Sequence, residues 1–163
     1  MDFDRYKYSR YNDQYDYEFF SEGPRGHIRK LVRFRLRLSN GTPYYNLGFG
    51  DTLPGLTLFD DGVVSNNGDA QKVLATVASV VVDFTNNFPD ALIYAEGSSL
   101  SRTRLYQMGI NRNWEEIDLL FEVFGLRVNG GWEPFQKNTI YTGFLAKRKR
   151  KSVLKSSKFI KRK

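Results

Sequence analysis

An α+β fold with a mostly antiparallel sheet is what this sequence predicts, and three observations carry it. Strand-like alternation fills residues 15–50, two turn signals cut that stretch into three strands, and a long apolar helix pattern comes only afterwards. The predicted order is β-β-β-α-β-α-α-β-β, with the helices packed on one face. We divide the chain into a loose arm over 1–13, a single domain over 14–146 and a basic tail over 147–163 that reads as disordered.

The elements follow in order. Tyr15, Tyr17 and Phe19 alternate with Asp16 and Glu18, the pattern of a half-buried strand. Ser21 to Gly26 is a turn on its Gly and Pro content. In the next strand, His27 to Leu38, the residues Ile28, Val32, Phe34, Leu36 and Leu38 share one parity, broken by Lys30. Arg29, Arg33, Arg35 and Arg37 share the other, so the strand predicts an apolar floor and a ribbon of guanidinium groups. That ribbon reads either as a phosphate-binding face or as the partner of Asp16 and Glu18 on an antiparallel neighbour. Asn40-Gly41 marks a hairpin, and Tyr44–Gly50 is the third strand.

Residues 51–68 read as loop, with a short strand at Leu56–Phe59. Asp69 is a good N-cap for a helix over Ala70–Asn86, although Val80, Val81 and Val82 are poor local helix formers. A central strand over Ala91–Glu96 leads to the Gly97-Ser98-Ser99 corner. The helix after it should reach about Met108 and break at Gly109. Asn113 and Glu116 have capping-box spacing for a helix over Trp114–Leu120. Strands follow at Phe121–Leu126 and Thr139–Ala146, with an aromatic loop at Trp132–Phe135.

Composition limits the chemistry. The chain has no cysteine and one histidine, His27, which excludes thiolate sites and leaves little for a Ser-His-Asp triad. The N-terminus is polar and no apolar run is long enough for a membrane span, so a cytoplasmic protein is expected. Of the 25 Lys and Arg residues, 10 fall in 147–163, which holds no acid; the residues before it carry the other 15 against 18 acids. The body is therefore mildly acidic, and the pI near 9.6 belongs to the tail. Asp60, Asp61 and Asp69 could surround a hard cation, but they read equally as polar loop and helix cap.

The corner Gly97 to Arg104 carries the strongest chemical signal. Gly97 allows close approach, Ser98, Ser99 and Ser101 can donate hydrogen bonds, and Arg102 and Arg104 place guanidinium forks in the first helical turns. It lacks the spacing of a P-loop and of a dinucleotide-binding fingerprint. Its ordinary reading is a capped helix whose solvent-facing arginines pair with Glu96 or Asp90. Trp132, Phe135 and Tyr141 read as core lids or stacking platforms.

Several motifs occur together: Ser21-Glu-Gly-Pro-Arg-Gly26, Val64-Ser-Asn-Asn-Gly-Asp69, Lys72-Val-Leu-Ala-Thr-Val77, Phe88-Pro-Asp90, Gly97-Ser98 with Arg102-Thr-Arg-Leu-Tyr106, Phe121-Glu-Val-Phe-Gly125 and Trp132-Glu-Pro-Phe135. With them the chain resembles an uncharacterised bacterial family of the Bacteroidota type, a domain of unknown function. The resemblance implies a bacterial cytoplasmic protein and assigns no catalytic residue.

The function expected from the residues is non-catalytic binding of phosphate or nucleic acid. Gly97, Ser98, Ser99, Ser101, Arg102 and Arg104 would form one contact surface and Arg29, Arg33, Arg35 and Arg37 another, with no metal and no cofactor. RNA or DNA, or a protein encoded nearby, would be the partner. The alternatives are a histidine-independent toxin-type ribonuclease using Glu96, Arg102, Arg104 and Tyr106, and a plain protein-interaction module.

Overall fold

The structure is a computed structural model that describes residues 4–12, 15–52, 59–60 and 67–150. The strands among them are β1 (Ser9–Asn12), β2 (Asp16–Gly23), β3 (Gly26–Ser39), β4 (Thr42–Thr52), β5 (Phe59–Asp60), β6 (Ile93–Ala95), β7 (Phe121–Arg127), β8 (Trp132–Pro134) and β9 (Tyr141–Arg148). The helices are α1 (Ala70–Asn87), α2 (Leu100–Arg112) and α3 (Trp114–Leu120). The fold is α+β, as predicted, with one sheet in the order β1-β2-β3-β4-β6-β9-β7-β8 and β5 paired to β4.

Parity decides what each strand buries. Val32 and Phe34 of β3 and Leu47 and Phe49 of β4 are buried on one face, and Phe84 of α1 stacks on Phe34 with centroids 3.9 Å apart. Residues from all three helices, among them Val77, Ile110 and Ile117, line one apolar cavity against Leu47, Ile93 and Phe144 of that same face. Val80 is fully buried, so tertiary packing outweighs the weak helix propensity of the valine run.

The register is antiparallel throughout except at one pair. β4 and β6 run parallel, with Tyr45 opposite Ile93 and Leu47 opposite Ala95. The connection between them carries α1, as a parallel crossover requires. Both strands therefore end at the same edge, where Asp51 leaves β4 and Gly97 leaves β6. Asn40 and Gly41, at φ 51° and 81°, form the predicted turn between β3 and β4.

Several boundaries differ from the sequence reading. Residues 4–12 are not a loose arm: β1 pairs with β2, Arg5 bonds the Ser79 hydroxyl at 2.7 Å, and the Tyr6 amide bonds the Thr76 hydroxyl at 2.8 Å. The strand order gains β1, β5 and β8. Trp132–Pro134 is a short strand on β7 rather than a loop. α2 runs through Gly109 to Arg112, because Gly109 is buried against Leu74 of α1. Neither predicted acidic or amide cap works through its side chain: Asp69 accepts from Tyr6 and Ser21, and Asn113 donates to the Gly109 carbonyl. The short strand expected at Leu56–Phe59 and the tail beyond Arg150 lie largely or wholly outside the described residues.

Candidate functional site

The carboxyl edge shared by β4 and β6 gathers three charged side chains that water barely reaches. Lys30 of β3 is 1% exposed and Asp51 of β4 is 4% exposed. The register sets them directly opposite each other, and Lys30 Nζ lies 2.5 Å from Asp51 Oδ1. Arg102, in the first turn of α2, is 6% exposed. Its Nη2 donates to the Phe49 carbonyl, while Nε and Nη1 are buried with no hydrogen-bond partner among the described residues. One ring serves both cations: Lys30 Nζ is 5.9 Å and Arg102 Cζ is 5.8 Å from the Phe49 centroid.

Local sequence explains how Arg102 reaches this place. Ser99 caps α2 by accepting from the Arg102 amide at 3.3 Å. Thr103 Oγ1 accepts from the Gly97 amide at 3.1 Å and donates to the Ser99 carbonyl at 3.0 Å. A Cβ on Gly97 would run into the Thr103 amide nitrogen and the Arg102 backbone. Glycine is thus required for the strand to pass directly under the helix start. Ser98, Ser101 and Arg104 are exposed around this turn.

Two cations against one carboxylate leave the described part of the cluster with an excess positive charge. Buried donors without acceptors are rare, each costing about 1–3 kcal/mol. An oxyanion is the kind of group that would offset such a charge and accept from such donors.

The arginine ribbon lies on the opposite face of the sheet and does not join this corner. Arg29 pairs with Glu18 at 2.7 Å, and Arg33 and Arg35 approach Asp16 at 3.6 Å and 2.7 Å. Asp16 is only 1% exposed beneath them. Arg37 is exposed and donates to the Leu36 carbonyl at 3.3 Å. Nor do the residues of the ribonuclease alternative converge. Glu96 accepts from Tyr94 at 2.9 Å on the helix-free face, Arg104 is exposed, and Tyr106 lines the apolar cavity under the helices. The Arg102 partners expected at Glu96 or Asp90 are replaced by the Phe49 carbonyl.

His27 is exposed on the β2–β3 hairpin, 3.9 Å from Glu22. Of the proposed aspartate cluster, Asp60 belongs to β5, Asp61 lies outside the described residues, and Asp69 is tied to Tyr6 and Ser21 at 2.6 and 2.5 Å. No metal-ligating group of three is present among the described residues. No helix among them is long and apolar enough to cross a membrane. Lys30 is what sequence reasoning missed. Its signal was the break in the apolar parity of β3.

Comparison with known proteins gives one result. The model of a family of unknown function, DUF6934, matches residues 2–149. The chain belongs to that family. Neither the curated proteins nor the solved structures give a match. In this DUF6934 member the matched span includes β1 as well as the whole Arg102 cluster, so the N-terminal strand is part of the family's domain.

Proposed function

We propose that this DUF6934 protein is a non-catalytic binder of phosphate-bearing ligands, and that the phosphate is held at the start of α2. The observation that carries the reading is the pair of buried Arg102 nitrogens, Nε and Nη1, that find no acceptor among the described residues. Ser99, Ser101 and Arg104, on the same first turns, would complete the contacts, and the helix N-terminus favours negative charge. Nucleic acid is the ligand class the basic stretch 147–163 favours, since 10 like charges add affinity that is independent of sequence. A bacterial cytoplasmic setting is part of the same reading, supported by the cysteine-free composition.

Calorimetric titration tests it, using pyrophosphate and a single-stranded oligonucleotide on the full chain. Arg102→Met should abolish pyrophosphate binding and weaken the oligonucleotide about ten-fold or more, the scale of one lost charge-assisted pair. Lys→Gln changes confined to 151–163 should instead leave pyrophosphate unaffected and flatten the salt dependence of oligonucleotide binding. Pyrophosphate binding that survives Arg102→Met would overturn the assignment.

A further inference from the structure

The face of the sheet that the helices leave uncovered carries a second site. Its parity brings Tyr44 and Asn46 of β4, Tyr94 of β6, Leu145 of β9 and Trp132 of β8 to the same side, and with Glu96 they line a trough. Trp132 is 47% exposed, whereas Phe135 and Tyr141 are buried in the core.

The trough has a definite shape. A Cβ on Gly143 would come within 2.8 Å of the Tyr94 hydroxyl, so the Tyr94 ring lies across β9 along the sheet surface. Tyr44 meets it at 75° with centroids 5.9 Å apart, and Trp132 at 71° and 6.1 Å. Tyr94 is therefore a floor, and Tyr44 and Trp132 stand as walls. The Tyr94 hydroxyl donates to Glu96 at 2.9 Å, and burial together with that carboxylate holds the phenol in its neutral form. Glu96 is the one charged residue among the described residues that line the trough. Arg37, across the ladder from Tyr44, is turned to a backbone carbonyl.

We propose that this trough binds an organic cation, an alkylammonium or guanidinium head group, with Trp132, Tyr94 and Tyr44 presenting π surface and Glu96 the counter-charge. Aromatic faces are electronegative, and three of them around a carboxylate are complementary to a weakly hydrated cation. The same carboxylate repels phosphate, so this site is separate from the one at Arg102 and takes ligands of the opposite charge.

The test uses choline and methylguanidinium as probes, with neohexyl alcohol as the neutral analogue of choline that has carbon in place of nitrogen. Trp114→Phe leaves Trp132 as the single fluorescent indole in an otherwise full chain. At least one cation should alter Trp132 emission and bind about ten-fold or more tighter than the alcohol, on the scale of a desolvated cation–π contact. Glu96→Gln should weaken the cation and leave the alcohol and the melting temperature unchanged. Failure of both cations to bind tighter than the alcohol, tighter binding of uridine than of either cation, or no response to either cation would overturn the proposal.

Discussion

Arg102 of α2 donates to the backbone carbonyl of Phe49 on β4, and its guanidinium carbon lies 5.8 Å from the centroid of that residue's own ring. The contact ties the start of the helix to the end of the strand. It also fixes a guanidinium in a place where two of its nitrogens find no acceptor among the described residues. Such a residue is expected to serve binding at some cost to stability.

The first prediction follows from that cost. Without ligand, Arg102→Met should melt at or above the wild-type temperature, because a methionine of similar length removes two unsatisfied donors worth about 1–3 kcal/mol each. Adding pyrophosphate should stabilise the wild type alone. Thermal denaturation with and without the ligand reads both halves. A variant that is much less stable without ligand would show that Arg102 is structural.

Gly97→Ala should damage the same site by another route. Its Cβ has no room against the Thr103 amide and the Arg102 backbone, so α2 must shift from the strand. We expect a loss of about 1–3 kcal/mol in denaturant unfolding and weaker pyrophosphate binding, since overpacking against backbone is not relieved by rotamer change. Met108→Ala, at an exposed position of α2 beyond the corner, is the control and should do neither.

Lys30 and Asp51 should behave as a unit. Lys30→Met takes the ammonium away from a buried carboxylate and should cost about 3–5 kcal/mol. Lys30→Met combined with Asp51→Leu should cost less than the two single changes added together, with a coupling of about 0.5–3 kcal/mol. Urea unfolding of the four proteins measures it, and additive losses would mean that the pair is not coupled.

Alkaline pH should destabilise the fold through its tyrosines. The Tyr8 hydroxyl bonds Asp83 at 3.2 Å, and its pKa is pushed up from 10.0 to about 12, by burial first and then by that carboxylate. Tyr6, Tyr17 and Tyr141 are raised too, each chiefly by burial. Between the unfolded and folded values, the folded chain keeps protons that the unfolded chain has lost, so stability falls as pH rises through that window. Tyr8→Phe should make the decline shallower in urea midpoints measured from about pH 9 to about pH 12. An unchanged slope would remove Tyr8 as a contributor.

Much of the fold was legible because it rests on local periodicity. The alternation in β3 gives its buried face, and the apolar pattern of α1 gives a helix that ends one residue later than expected. What depends on contacts between distant residues was not legible. β8 holds three residues, one of them a proline, too little to distinguish a strand from a loop. Gly109 breaks a helix on propensity but here fits against Leu74, which only the docking of α1 on α2 reveals. The pairing of the arginine ribbon was readable as one of two outcomes, since Asp16 and Glu18 stand on the neighbouring strand.

The site was half legible for the same reason. Gly97 and Ser99 announce the corner through local backbone chemistry. The burial of Arg102 depends on which face of α2 meets the sheet, and it was expected in solvent. Lys30 was seen only as an interruption, because Asp51, its partner 21 residues away, sat in a stretch read as loop.

The Nε–H resonance of Arg102 tests the central claim most directly. Its assignment follows from the signal that Arg102→Met removes. Titration with pyrophosphate should shift that resonance and slow its exchange with water, in step with the calorimetric binding curve, as a charge-assisted hydrogen bond forms. A ligand that binds while the Arg102 signal stays unmoved, with shifts confined to Arg104 or the basic residues near the C-terminus, would contradict the account.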